Sequence, residues 1–203
     1  MKNILLFLLA ALLLGGTASA QRFRVGVRGG VNAADYRFTP VKIGSSRFSP
    51  GNTRVGFETG FVLRLNLTKH LHLQSEINYD FANYSVRVEG PARRSVTLRA
   101  ERLEIPVQLG LQFGIVRLFG GASFRVADSE RSTAPGLLKV EFNNDDISLM
   151  GGLGLNIGHF FLDFRVQGYP RSRLWNTFTS NGVAERVEVT RDLIYGGSIG
   201  FFF

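Results

Sequence analysis

The chain contains no cysteine. Disulfide bonds therefore cannot stabilise it, and a lipid-modified cysteine cannot anchor it to a membrane. It also lacks an apolar run of about 20 residues, the length that a membrane-spanning helix requires. From residue 21 onward, no segment combines helical periodicity with capping residues. These absences leave burial and hydrogen bonding between β-strands as the expected sources of stability.

The longest apolar run lies near the N-terminus, at residues 4–14, between Lys2 and the small residues Ala18-Ser19-Ala20. This order of basic residue, apolar run and A-x-A site predicts a secretory signal peptide over residues 1–20. A retained anchor is the alternative, but no polar stop-transfer flank follows the run. We therefore predict one exported domain over residues 21–203, a length typical of a single domain.

Negative charge is in the minority, since 24 Lys and Arg residues face 16 Asp and Glu residues and give a net charge of +8. A basic balance can indicate nucleic acid, but the export signal and the scattered arginines argue against that partner. We expect lipopolysaccharide, together with outer-membrane lipid, to be the acidic counterpart.

What the sequence does contain is alternation of apolar and polar residues with a period of two, the signature of β-strands. The predicted strands cover residues 23–32, 55–66, 71–82, 102–113, 116–126, 147–157, 160–167 and 193–203. Most are about 10–12 residues long, which is the length that a tilted strand needs to cross a bilayer. The pattern predicts an all-β fold, an eight-stranded antiparallel transmembrane β-barrel.

The predicted connections alternate in length. Residues 67–70, 114–115 and 158–159 form tight turns, whereas residues 33–54, 83–101, 127–146 and 168–191 form long polar loops. Short connections at one end and long ones at the other are typical of outer-membrane barrels, with periplasmic turns and extracellular loops. With a periplasmic N-terminus, all four long loops would lie outside the cell.

Aromatic residues on the apolar face group near both predicted ends of the strands. Phe23, Phe113, Phe160, Phe201 and Phe203 lie toward the tight turns, and Phe57, Tyr79, Phe81, Phe124 and Tyr195 lie toward the long loops. Two such levels are typical of the aromatic belts at membrane interfaces. Each residue alone is explained by the preference of Phe and Tyr for strands, but the grouping favours a membrane barrel.

A soluble lipocalin-like barrel that binds a small apolar ligand is the rival fold, because it also closes eight strands. It would place the apolar face inside, and alternation alone does not decide between the two. The belts and the loop lengths favour the membrane barrel. So does the last strand, because its alternating Ile199, Phe201 and Phe203 resemble the signal that the barrel-assembly machinery reads.

The segment Leu103-Glu104-Ile105-Pro106-Val107-Gln108-Leu109-Gly110-Leu111 resembles the L-E-I-P-L segment of the Bacteroidetes-type outer-membrane β-barrel family, which includes PorT-like proteins. Residues 26–32 and 152–155 resemble that family's first and sixth strands. The chain departs from the pattern at Gly110, where the family often has Lys, and at Arg102, where it often has an aromatic residue. The resemblance implies an exported eight-stranded barrel, in a few members part of a secretion and gliding apparatus, and supplies no catalytic residue.

Proline within strand four calls for a local explanation, since Pro106 cannot donate a hydrogen bond to a neighbouring strand. We predict a bulge or local break at this position.

The polar face of the predicted strands carries five arginines and five carboxylates. They are Glu58, Arg64, Glu76, Asp80, Arg102, Glu104, Arg117, Arg125, Asp163 and Arg165. An eight-stranded barrel is wide enough only for side chains to fill, so we predict that these residues pair as a polar plug in the lumen. A solute path is the alternative, but porin channels need about 16 strands.

Catalytic and metal-binding patterns are lacking. His70, His72 and His159 fall at or beside predicted tight turns, away from the long loops, and no G-x-S-x-G motif positions a serine. His and Asp residues also lack the paired spacing of metal ligands. We predict a non-enzymatic barrel without metal or cofactor, with a structural role or a recognition role through its loops, and possible service to a secretion system.

Aromatic residues in the long loops suit recognition of a protein or glycan. Phe38, Phe48, Phe142, Trp175 and Phe178 are expected to be exposed there. The alternative is that these loops fold over the barrel mouth.

Overall fold

The computed structural model describes residues 23–51, 54–89, 94–132, 139–141, 147–170, 173–180 and 182–203. Within these ranges the chain forms strands and turns. The strands are β1 Phe23–Phe38, β2 Val41–Ile43, β3 Ser46–Pro50, β4 Arg54–Asn66, β5 Leu71–Glu89, β6 Arg94–Phe113, β7 Val116–Ser132, β8 Lys139–Glu141, β9 Ile147–Ile157, β10 Phe160–Gly168, β11 Arg173–Ser180 and β12 Val183–Phe202. None of the described residues belongs to a helix long and apolar enough to cross a membrane. The predicted signal peptide lies outside the described residues and stays a prediction.

Eight strands form a closed antiparallel barrel in the order β1-β4-β5-β6-β7-β9-β10-β12. The last strand returns to the first, with Gly26 opposite Phe202 and Asn32 opposite Gly196. Closure leaves no open edge in this ring, so its backbone groups pair all the way round. The predicted eight-stranded fold is confirmed.

The tight turns lie where the sequence predicts them. β4 ends at Asn66 and β5 begins at Leu71, and the other two turns consist of residues 114–115 and 158–159. Gly114 and Gly158 open these two-residue turns with φ of 60° and 62°. This left-handed conformation is open to glycine without steric cost and matches the twist of a tight hairpin.

At the opposite end, the strands run further than predicted. β5 and β6 stay paired up to Val88 and Arg94, inside the region predicted to be a loop. We call the strand residues in the predicted loop regions the distal extension: residues 33–38 of β1, all of β2, β3, β8 and β11, and residues 83–89, 94–101, 127–132 and 183–191 of the longer strands. The long polar loops are therefore largely strand, because the hairpins continue to pair their backbones beyond the apolar band.

The distal extension has an apolar interior, which corrects the expectation for two loop aromatics. Phe48 and Phe178 are fully buried rather than exposed. Ile43, Val86, Val88, Val96 and Val187 are buried there as well. Burial follows from strand pairing, since Phe48 lies opposite Val88 on β5 and its side chain shares the inner face. The side chains of Phe38, Phe142 and Trp175 lie outside the described set.

Large apolar side chains cover the outer surface of the barrel. Leu109, Leu153 and Phe164 keep 52%, 56% and 55% of their surface exposed. Glu104 and Asp163, their neighbours in the alternation, are buried inside at 5% and 6%. The lipocalin-like alternative needs the reverse arrangement and is therefore wrong.

The strand carrying Pro106 is irregular in the predicted region. The register with β5 passes from Ser75–Val107 to Asn78–Glu104, without a pair at Pro106. Toward β7 the register shifts between Leu103 and Glu104. A proline without an N–H group explains the interruption beside β5, and the prediction of a local break is confirmed.

Candidate functional site in the barrel lumen

Alternation turns one residue in two of each barrel strand toward the lumen. All ten residues of the predicted polar network lie on this inward face. Eight of them are buried to 6% exposure or less, and Asp80 and Arg125 are half-buried near the distal extension. The structure brings them together in three groups along the barrel axis.

The central group is a square of two arginines and two glutamates. Arg28 donates hydrogen bonds to Glu58 and Glu76, and it reaches Ser198 Oγ at 2.7 Å. Arg165 Nη2 donates to Glu58 Oε2 at 2.5 Å, and its Nη1 lies 3.5 Å from Glu76 Oε2. These ion pairs join β1, β4, β5 and β10 across the lumen, so they fill it rather than line it.

Glu76 is the most heavily bonded carboxylate of this square. Gln74 and Gln108 donate to its Oε1 at 2.6 and 2.8 Å, and Asn78 donates to its Oε2 at 2.8 Å. A buried carboxylate needs such compensation, because its desolvation costs several kcal/mol or more.

The second group lies toward the tight turns. Arg117 donates to Asp163, and both Arg117 and Arg64 donate to Gln74 Oε1 at 2.7 Å. Arg64 also donates to Asn156 Oδ1 at 3.2 Å. Since Gln74 also bonds Glu76, its amide joins this group to the central square.

The third group lies toward the distal extension. Glu104 Oε2 accepts hydrogen bonds from Ser123 Oγ at 2.8 Å and from Gln167 Nε2 at 3.0 Å. Arg125 donates to the Tyr169 hydroxyl at 3.0 Å. Asp80 and Arg102 are directly opposite each other on β5 and β6.

Apolar side chains pack among the polar groups in the half of the lumen nearer the tight turns. Val62, Phe161 and Phe202 are buried together, and the two rings lie 4.8 Å apart. The guanidinium carbon of Arg64 lies 4.5 Å from the Phe202 ring centroid, and that of Arg117 lies 4.8 Å from the Phe119 centroid. Such cation–π contacts add to the stabilisation of Arg117, which also pairs with Asp163, and stabilise Arg64 beside its hydrogen bonds to neutral amides. We call Val62, Phe119, Phe161 and Phe202 the proximal layer.

Sequence reasoning left several of these residues out of the network. Arg28 lies outside the ten residues predicted from the sequence, although it is the hub of the central square. Phe161 and Phe202 stand at positions where the alternation predicts polar, inward-facing residues. The runs Phe160-Phe161 and Phe201-Phe202-Phe203 break the alternation and could have indicated aromatic side chains in the lumen.

The histidines have structural partners. His70 Nδ1 donates to the carbonyl of Gln112 at 3.0 Å, and His159 Nδ1 donates to that of Phe202 at 3.0 Å, both at the tight turns. His72 is buried in the lumen against Gly110, where a Cβ would collide with its ring. This contact explains why Lys, common in the resembling family, does not fit at position 110. Within the described ranges, no three His, Asp or Glu residues form a group that could hold a metal.

Comparison with known proteins identifies the barrel's class. Residues 17–167 match a family model described as an outer membrane protein beta-barrel domain. No curated protein matches the chain in sequence.

Several solved structures resemble the fold. The outer membrane protein OprG from Pseudomonas aeruginosa is 13% identical, with 90% of this chain and 96% of OprG covered at a TM-score of 0.54. Neisserial surface protein A is 10% identical over 89% of this chain and 97% of its own, at a TM-score of 0.46. Ail of Yersinia pestis, solved with the heparin analogue sucrose octasulfate, is 10% identical over 90% and 99%, at 0.44.

The family match covers most of the chain, and OprG shares its fold. Together with the apolar outer surface, the match identifies the compartment. The chain belongs to the outer membrane protein beta-barrel domain family and is a β-barrel of the cell outer membrane.

Proposed function

We propose that this protein is a non-enzymatic barrel, closed to solutes, that stabilises the outer membrane and presents its distal extension to the cell exterior for recognition of a protein or glycan. The observation that carries the proposal is the central square, in which Arg28 and Arg165 bridge Glu58 and Glu76 across the lumen. The ten-residue network acts here as a plug and not as a binding or catalytic site.

Three layers support closure. The proximal layer is apolar, the middle of the lumen holds paired charges, and the distal extension has an apolar interior. An ion entering at the tight turns would meet Arg64 packed against the rings of Phe161 and Phe202, and an ion entering at the other end would meet the buried apolar side chains of the distal extension. Hydrophobic constrictions of this kind exclude water and ions.

The rigidity of the distal extension supports a recognition role. Its strands pair over several residues, with Arg173–Ser180 of β11 joined to β12 along its whole length. Side chains on the outer face are thus held in place before any partner binds, which lowers the entropy cost of recognition. An orientation with the N-terminus in the periplasm puts this surface outside the cell.

Membership of the PorT-like branch is the finer part of the proposal. It is supported by the segment 103–111 and by the opening strand 26–32, and it implies an accessory role in secretion. Deleting the gene and comparing the secreted proteins with those of the parent strain tests this role. Unchanged secretion would contradict it without affecting the closed barrel.

Closure is tested by reconstituting purified protein in planar bilayers and recording current. We expect no stable conductance, because paired side chains fill the lumen. Arg28→Ala combined with Glu76→Ala removes three of the four ion pairs of the central square and leaves the Glu58–Arg165 pair, so this control should leak more than the parent protein. Large, steady openings of the parent protein would show that the charges line a channel.

A further inference from the structure

We propose that one outer face of the distal extension is an anion-binding surface for the phosphate groups of lipopolysaccharide, formed by Lys42, Arg47, Arg87 and Arg99. We call these four residues the basic face. The inference rests on the proposed function in one respect, namely that the distal extension lies outside the cell.

The hairpin β2–β3 presents two of these cations side by side. Lys42 lies directly opposite Arg47, and both side chains are exposed. On the other face of the same hairpin, Ile43 and Phe48 are buried in the interior of the extension. The buried face fixes the hairpin's orientation, so Lys42 and Arg47 are held outward.

Like charges directly opposite each other destabilise a strand pair. In the part of the chain that the structure describes, no carboxylate forms an ion pair with Lys42 or Arg47. An anionic partner that bridges the two cations would relieve this repulsion. A phosphate group, with its several acceptor oxygens, suits that position.

The neighbouring strands extend the basic face. Arg87 lies on β5, opposite Ser49 of β3 on one side and Ser95 of β6 on the other. Arg99 lies four residues beyond Ser95 along β6, opposite Asn83.

Among the side chains that the structure describes, two carboxylates share this face. Glu89 lies opposite Arg47, and Glu101 accepts a hydrogen bond from the Tyr79 hydroxyl at 2.9 Å. Four cations against two carboxylates leave an excess of positive charge.

The level of the basic face relative to the membrane indicates which anion it meets. Tyr79 and Phe81 expose their rings on the outer surface, where they mark the membrane interface. Arg99 lies two pairs beyond the Phe81–Glu101 pair, and Arg87 lies six residues beyond Phe81 on β5. At about 3.4 Å per residue, the basic face therefore reaches about 20 Å beyond Phe81 along the strand.

Phospholipid headgroups occupy only the first part of this span. The phosphorylated sugars of lipopolysaccharide carry anionic groups further from the membrane and match the whole of it. We therefore assign the basic face to lipopolysaccharide phosphates.

The test titrates detergent-solubilised, refolded protein with purified lipopolysaccharide at low salt. We expect Arg47→Gln with Arg87→Gln to weaken binding by about fivefold or more, since each exposed ion pair contributes modestly. The matched control, Lys69→Gln with Arg186→Gln, removes the same charge at a tight turn and at β12, where both side chains are exposed. It should bind like the parent protein, and Arg47→Lys with Arg87→Lys should retain most of the affinity.

Two further titrations identify the source of the anion. Dephosphorylated lipopolysaccharide should bind the parent protein as weakly as native lipopolysaccharide binds the Gln variant. Inorganic phosphate should not compete at millimolar concentration, because a single phosphate does not span the basic face. Effective competition would overturn the assignment in favour of a free-phosphate site.

Equal weakening in the test and control variants, or no weakening in either, would overturn the proposal. All variants are first checked for folding by heat-modified electrophoretic mobility. Failure of the closed-barrel proposal appears separately, as conductance in planar bilayers. A barrel that shows no conductance and does not bind lipopolysaccharide would contradict only the proposal of the basic face.

Discussion

Glu76 shows how one buried side chain organises the lumen. Its carboxylate accepts from Arg28, Gln74, Gln108 and Asn78, so every approach to the two oxygens comes from a donor. Glu76→Gln replaces one oxygen with an amide donor that faces other donors. We expect a loss of about 3–5 kcal/mol in the free energy of unfolding, the range for breaking a buried ion pair. Urea unfolding of the refolded protein in lipid vesicles measures it.

Glu104→Gln is the matched comparison. One of its oxygens accepts from the neutral donors Ser123 and Gln167, and a glutamine carbonyl oxygen can replace that oxygen. The variant should fold, with a smaller loss than Glu76→Gln in the same assay. Equal losses would show that burial of charge, rather than the hydrogen-bond arrangement, determines the cost.

Leu109 tests the outward face at the same scale. Its side chain is 52% exposed on the outer surface, between the lumen residues Gln108 and Gly110. Leu109→Arg puts a charge into hydrocarbon and should lower the free energy of unfolding by about 2–4 kcal/mol near mid-membrane. Leu109→Val is the control and should cost far less. A well-tolerated arginine would mean that this face does not meet lipid.

At the scale of elements, the hairpin β2–β3 depends on Phe48, which is fully buried opposite Val88. Phe48→Ala should cost about 3–5 kcal/mol locally, through the lost burial and the cavity left behind. We expect faster protease cleavage within the hairpin. The barrel should keep its heat-modified electrophoretic mobility, because Phe48 lies outside the eight barrel strands. Lys42→Ala, at an exposed position of the same hairpin, is the control. Cleavage as slow as in the parent protein would contradict the buried role of Phe48.

The sequence pattern predicts the strand ends at the tight turns correctly, but it misses the strand ends in the distal extension. The turns at Gly114 and Gly158 are short and begin with glycine, so the alternation stops and restarts within two residues. In the distal extension the strands leave the lipid, and their outer face carries polar residues such as Ser95 and Arg99. Without lipid, the outer positions are no longer required to be apolar, so the pattern of two fades although the backbone pairing continues.

For the whole molecule, both proposals depend on the orientation of the barrel in the membrane, with the distal extension outside the cell. The chain has no cysteine, so single cysteines can be introduced without background labelling. A membrane-impermeant thiol reagent should label Ser45→Cys on intact cells, and Lys69→Cys only after the outer membrane is opened. Both native residues are exposed, so both positions are accessible to the reagent. The reverse result would invert the barrel and place the basic face in the periplasm.

Facing is tested with spin labels across the same barrel. A label at Leu153 should report lipid, and a label at Ser123 should report a crowded, polar interior, because these side chains lie on opposite faces. Exchanged signals would restore the lipocalin-like arrangement.

The amino-acid sequence by itself determined that the chain forms eight alternating strands, where its tight turns lie, and which residues share a face. These properties depend on neighbours one or two positions apart. Only the tertiary structure decided how the faces are used. Arg165 of β10 meets Glu76 of β5 because closure between β1 and β12 curves the sheet and places β5 and β10 on opposite sides of the lumen. Phe48 is buried because its hairpin joins β5. Alternation is the same whichever face points inward, so contacts across the lumen depend on closure, which no local pattern encodes.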